Sequence, residues 1–260
     1  MNEEYFKILN HINDVDTKQT IKKFIDSLFI VKEKNISYCS DFLTPNEINY
    51  CIKSIQTFSN INYEIIPNFE KCERNCILLG NNIEYLDKKE YISFIACGKT
   101  TEDVTHRDVL GSILALGVVR SKIGDILIDD KSIYIVVRKS ISNYILANLN
   151  NIGRNNVEFK IVENIPYENI QDNYSEYSAT VSSLRLDVLL SEILNLSRNK
   201  VSSVIKSGRV KVNHEELKKI HGELLPGDII SVRGFGRFKF LDIQGKTKKD
   251  KFRIKYIKYE

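Results

Sequence analysis

Residues 184–213, LRLDVLLSEILNLSRNKVSSVIKSGRVKVN, change their period part-way, and that change decides the fold of the last third of the chain. Leu186, Leu189, Leu190 and Ile193 recur at helical spacing and make one apolar stripe. Asn195 and Leu196 interrupt it. Ser197 then reads as the N-cap of a second helix, with Leu196 and Val201 as a hydrophobic staple. Val201, Val204 and Ile205 supply its buried stripe, and Gly208 stands where a left-handed C-terminal cap belongs. From Arg209 onward the pattern alternates. Val210 and Val212 face one way and Arg209, Lys211 and Asn213 the other, as in a half-buried strand with a cationic outer face. Arg198 and Lys200 occupy the first turn of the second helix, where the macrodipole favours an acid by roughly 0.3–1 kcal/mol per charge. A choice that breaks a local rule marks a candidate site. Cations beside unpaired helix amides make a pocket for a phosphate, and side chains pointing into water are the plainer alternative.

The surrounding charge favours the phosphate. Residues 183–260 hold 18 Lys and Arg against 9 Asp and Glu, a net of +9, whereas the first 182 residues hold 20 against 25, a net of −5. The whole-chain value of +4 therefore joins an acidic body to a basic C-terminal domain, an asymmetry that points to a polyanionic partner. Pro226-Gly227-Asp228 signals a turn, 229–233 a further strand, and 235–256 a basic β-hairpin turning near 245–250. The expected nucleic-acid surface comprises Arg185, Ser197, Arg198, Lys200, Lys206, Arg209, Lys211, Asn213, Lys218, Lys219, Arg233 and Arg237, with Lys246, Lys248 and Lys249 at the hairpin turn. Phe235 reads first as core packing and second as a ring for an exposed base.

In its order, Arg185-Leu186-Asp187, then Ser197-Arg198-Asn199-Lys200, then 207–213 and Pro226-Gly227-Asp228, this segment resembles the S4-type RNA-binding domain. That resemblance implies two helices against a small bent sheet gripping structured RNA. It also implies that Arg185, Ser197, Arg198, Lys200, Arg209, Lys211 and Asn213 face the RNA. His214 stands where the family often has Gly, which puts the tight turn in question.

Upstream, residues 1–75 read as mainly helical, with Thr44-Pro45-Asn46-Glu47 as a helix start and strands at 62–66 and 76–79 that could extend the following sheet. From 91 to 163 the order is strand, helix, strand, strand, helix, strand, the ferredoxin-like arrangement shared with RNA-recognition modules. Thr105 and Asp108 make a capping box there, and Val104 and Val109 a staple. Its third strand offers only Tyr134 for stacking, so structural or protein-docking roles compete with RNA binding. The polar run at 166–180 reads as a linker. The expected class is α+β: an N-terminal helical region (1–75), a ferredoxin-like (RRM-like) βαββαβ domain (76–165), the linker (166–180), and an S4-type domain with a basic hairpin (181–260).

Catalytic readings find little support. The Arg-Leu-Asp of residues 185–187 opens a helix inside the small basic domain, the glycines are too scattered for a nucleotide loop, and the four His make no metal spacing. No cofactor is expected. His106, Arg107 and Arg120, in a polar and Gly-rich group around one helix, are candidates for a second functional patch, with fold maintenance as the plainer account. The Cys residues, five in number, suit free thiols in a reducing cytoplasm, and no apolar run suggests a membrane span or signal peptide.

Residues 105–111, Ile123-Gly124-Asp125-Ile126, 180–187 and 230–239 together resemble the YlmH family of the Gram-positive cell-division gene cluster. The resemblance implies a non-enzymatic RNA-binding factor, and a monomer is expected. Its partners would be ribosomal RNA on the large subunit and, as a further candidate, tRNA, in the rescue of stalled translation. An adaptor of division or cell-wall machinery is the alternative, and an RNA-modifying enzyme a third. The partner of the N-terminal region stays open.

Overall fold

The computed structural model describes residues 3–12, 14–58, 61–69, 72–99, 104–169, 174–216 and 221–259. The chain divides into two compact units, Met1–Gln171 and Asp172–Glu260. The first opens with helices α1 (Glu3–Asn10) and α2 (Val15–Lys34), strand β1 (Tyr38–Cys39), helix α3 (Pro45–Phe58) and strands β2 (Tyr63–Ile66) and β3 (Cys76–Leu79). It continues with β4 (Ile92–Gly98), α4 (His106–Ala115), β5 (Ile123–Ile128), β6 (Ser132–Arg138) and α5 (Lys139–Asn148). A small hairpin, β7 (Asn151–Ile152) and β8 (Asn155–Asn156), precedes β9 (Lys160–Val162).

The expected ferredoxin-like order is present: an antiparallel sheet β5-β6-β4-β9 sets the first strand of the motif between the third and the fourth. Helices α4 and α5 cover one face through Val109, Ile113 and Ile145 against Ile95, Ile133, Ile135 and Val137. The Thr105–Asp108 capping box forms as the sequence predicts. Pairing of the last strand begins only at Lys160, because Val157 and Phe159 drop into the core.

Strands β2 and β3 do not extend that sheet. With β1 they form a separate three-stranded sheet, β1-β3-β2. Cys76-Ile77-Leu78-Leu79 is apolar at every position, so both faces of β3 need cover. Ile77 and Leu79 pack on α2 and α3 through Ile21, Phe24, Ile25 and Cys51. Cys76 and Leu78 face Phe42, Ile92 and Val136 of the ferredoxin-like part. Met1–Gln171 is therefore layered helix, sheet, sheet, helix, and residues 1–75 share a core with the ferredoxin-like elements.

The second unit contains β10 (Tyr174–Val181), α6 (Leu186–Ile193), α7 (Arg198–Lys206), β11 (Val210–Val212), β12 (Glu215–Glu216), β13 (Ile229–Val232), β14 (Gly236–Lys246) and β15 (Phe252–Tyr259). Its antiparallel six-stranded sheet runs β10-β15-β14-β13-β11-β12. Both helices pack on one face, where Leu186, Leu189, Val201 and Ile205 meet Val210, Ile230, Phe238 and Ile254. The expected linker 166–180 is overturned at both ends. Tyr167 is buried in the first unit, and residues 174–181 pair along their whole length with β15. As an exposed edge strand, β10 carries too few inward apolar residues to announce itself.

Candidate nucleic-acid interface

Ser197 caps α7 as predicted: its Oγ accepts from the Lys200 backbone N–H at 3.4 Å. The first turn holds no acid, and Arg198 and Lys200 are both exposed. Arg198 Nη2 donates to Ser182 Oγ at 3.2 Å. Beside it lies Asp187, 4% exposed, clamped by Arg185 through Nε at 3.0 Å and Nη2 at 2.8 Å. Arg185 Nη2 also meets His221 Nδ1 at 2.5 Å. Burial pushes the Asp187 pKa up, but the Arg185 hydrogen bonds and charge, with His221 and Arg198, outweigh it and hold the carboxyl below its usual range. Arg185, Arg198 and His221 thus gather around one buried anion. Arg185, expected to face RNA, gives two of its nitrogens to the fold.

A second group stands on the sheet face away from the helices. Arg209 and Arg233 are exposed opposite each other, joined by Arg233 N–H to Arg209 C=O at 2.9 Å. One cross-strand row then runs Lys211, Ser231, Arg237, Tyr259, Tyr174. The Arg237 guanidinium lies over the Tyr259 ring at 5.2 Å. Phe235 sits in the turn beside Arg233 at 36% exposure, outside the main core.

The Asn213 side chain is engaged within the fold. Its Nδ2 donates to Asp228 Oδ1 at 2.7 Å and its Oδ1 accepts from Ile229 N–H at 2.9 Å. The tight turn survives without Gly: Asn213 and His214 both have positive φ, 49° and 70°, as a two-residue turn between β11 and β12 requires. Lys206 is exposed in the last turn of α7. Lys246 is tied to Asp250 at 2.8 Å and lies over Phe252, while Lys248 and Lys249 are exposed at the hairpin tip. Lys218 and Lys219 lie outside the described residues.

In the first unit the expected patch splits. His106 and Arg107 are exposed where α4 begins. Arg120 lies past its far end, about 15 Å away along a ten-residue helix, where its Nη1 donates to the Ile123 and Gly124 carbonyls. Burial first, then neighbouring Arg74, pulls the Arg120 pKa down to about 10. The sheet face opposite α4 and α5, on which RNA-recognition modules stack bases, is covered at one end by the protein's own rings. Phe69 packs against Phe94 at 6.3 Å and stacks on Tyr167 at 4.4 Å.

Among the described residues no group of three His, Cys, Asp or Glu is placed to hold a metal, and no helix is long and apolar enough to cross a membrane. All five cysteines are free thiols. Sequence reasoning missed His221, Asp187, Ser182 and Asp228. Only Asp187 had a visible signal, an acid two residues after an arginine at a helix start.

Residues 184–230 match the S4 domain model. The chain is 27% identical over 260 residues to "Ribosome-associated protein quality control protein P2" of Bacillus subtilis (strain 168), covering 93% of this chain and 95% of that one. It shares its fold with the structure of "Cell division protein ylmH from Streptococcus pneumoniae", at TM-score 0.50 and 20% identity, over 61% of this chain and 96% of that one. Residues 91–168 match a model described as "Putative RNA-binding domain in YlmH". These matches support the YlmH family.

The YlmH-like motif Ile123-Gly124-Asp125-Ile126 is occupied by the fold. A bulge between Ile123 and Ile126 turns Asp125 toward residues 72–74. There Asp125 accepts from the Glu73 and Arg74 backbone N–H groups at 2.9 and 3.0 Å and from the Tyr167 hydroxyl at 3.4 Å. Burial raises its pKa despite these bonds. Gly124 is packed so closely that an added Cβ would lie 2.8 Å from the Phe42 ring and 3.0 Å from Val136.

Proposed function

We propose that this protein is a non-enzymatic, cytoplasmic RNA-binding factor that docks its C-terminal unit on structured ribosomal RNA of the large subunit, with tRNA as a second contact, in the rescue of stalled translation. The observation that carries the reading is the acid-free first turn of α7, with exposed Arg198 and Lys200 beside the Asp187 cluster. Helix amides and cations there suit a phosphate oxygen, and Lys211 on β11, with Arg209 and Arg233 just outside β11 and β13, suits phosphates of a second stretch of RNA. The name of the Bacillus subtilis relative supports the ribosomal setting. The S4 match and the family to which residues 91–168 belong support RNA as partner.

Lys200→Glu with Arg209→Glu tests it. Both side chains are exposed, and Glu in a first helical turn suits the macrodipole, so folding is expected to persist. Binding to a ribosomal RNA hairpin should weaken strongly, its log–log salt slope falling by roughly 2. Co-sedimentation with large subunits on a sucrose gradient should be lost as well. Undiminished hairpin binding by the variant would refute the assigned surface. The Streptococcus pneumoniae neighbour's title favours a second reading, an adaptor of division machinery. Wild-type protein found at the septum and absent from ribosomal fractions would select it.

A further inference from the structure

We propose that Cys39 and Cys76, gathered under Arg138 in Met1–Gln171, are a thiol pair that hydrogen peroxide converts into a disulfide tying β1 to β3.

Strand register builds the pair. Cys39 stands across from Leu78, so Cys76, two residues away along β3, is its diagonal neighbour on the same face of the sheet. The two thiols hydrogen-bond each other. One guanidinium reaches both sulfurs: Arg138 Nη1 lies 2.7 Å from Cys39 Sγ and 4.0 Å from Cys76 Sγ, and its Nη2 donates to the Cys39 carbonyl at 3.3 Å. Arg138 ends β6, and its side chain is only 13% exposed, so packing fixes it over the pair. On the outer side Asp41 lies 4.0 Å from Arg138 Nε and pairs with Lys122 at 2.6 Å.

The cysteines differ in what faces them. Burial pushes the Cys51, Cys72, Cys76 and Cys97 thiols up. Cys39 is held below the usual thiol range instead: the hydrogen bond from Cys76, with the charge and hydrogen bond of Arg138, outweighs burial and Asp41. Tyr38, the remaining titratable neighbour, is itself pushed up by burial. A thiolate is the form that attacks peroxide. Cys39 also keeps 7% of its surface exposed while Cys76 keeps none, so peroxide meets Cys39 first.

The chemistry then balances in two steps. The Cys39 sulfur attacks one peroxide oxygen; an S–O bond forms, the O–O bond breaks, and the departing hydroxide leaves as water with the proton given up by the Cys39 thiol. The Cys76 sulfur attacks the Cys39 sulfur; the S–S bond forms, the S–O bond breaks, and the hydroxyl leaves with the Cys76 proton as a second water. The two thiols are oxidised, the peroxide is reduced, and a thiol reductant reverses the change.

The test treats the full reduced chain with hydrogen peroxide, blocks remaining thiols with N-ethylmaleimide in denaturant, and maps tryptic peptides by mass spectrometry. Peptide 35–53 joined to peptide 75–88, with Cys51 blocked and dithiothreitol separating the two, is expected. In Cys76→Ala, dimedone should trap a sulfenic acid at Cys39. Arg138→Gln should slow the crosslink about tenfold and raise the pH midpoint of iodoacetamide labelling at Cys39, a shift that a purely structural role would not produce. The wild-type map needs no variant, so a folding defect cannot imitate its result. Cys39 and Cys76 both recovered as blocked thiols while Cys72, the one cysteine that is not buried, takes up oxygen would overturn the pair. So would a crosslink that forms as fast in Arg138→Gln with the Cys39 labelling midpoint unmoved.

Discussion

Arg185 and Asp187 make a pair in which the buried member sets the energetics. The Asp187 side chain is 6% exposed and the Arg185 side chain 39%. Deleting Arg185 strands a buried charge, which costs more than one surface ion pair contributes. Because the folded Asp187 pKa is depressed, its contribution is present above the unfolded value near 3.9 and is lost as pH falls through the folded pKa. Arg185→Ala is therefore expected to destabilise the second unit by about 1–3 kcal/mol at neutral pH, with the gap to wild type shrinking near pH 3 as both carboxyls protonate. Urea titrations at the two pH values check this. A gap that widens in acid would mean that the pair is not what holds this helix start.

At the scale of elements, the bulge in β5 and the layer above it act as one device. It aims Asp125 at two consecutive backbone N–H groups, and Gly124 lets Phe42 lie directly on the strand. Gly124→Ala should cost about 1–3 kcal/mol through overpacking, read by thermal denaturation, and Phe42→Leu should recover part of it. An alanine variant as stable as wild type would remove close packing as the reason for glycine there. The same element-level view explains the turn at Asn213 and His214. Residue-type preference argued against it, yet the Asn213 amide clips it to Asp228 and β13.

For the whole molecule, the division of charge between an acidic body and a basic C-terminal unit governs association with RNA. With about six phosphates neutralised, affinity should fall roughly a thousandfold between about 50 and 200 mM salt. A nearly flat salt titration of hairpin binding would contradict a backbone-gripping surface. The two helices, the strand after Gly208, the split of charge and the ferredoxin-like element order were all legible in residue spacing, because each depends on period, capping and turn chemistry over a few residues. The stacking of two sheets in the first unit, the partial burial of Arg120, and the diversion of Arg185 and Asn213 into the fold were not. Those depend on which distant groups a side chain meets, as with Phe69 over Phe94 or His221 beside Arg185. Local sequence thus determined which elements form and where charge accumulates. Only tertiary packing decided which charges stay available, because a buried acid or an unpaired amide claims whichever partner the fold brings within hydrogen-bonding distance.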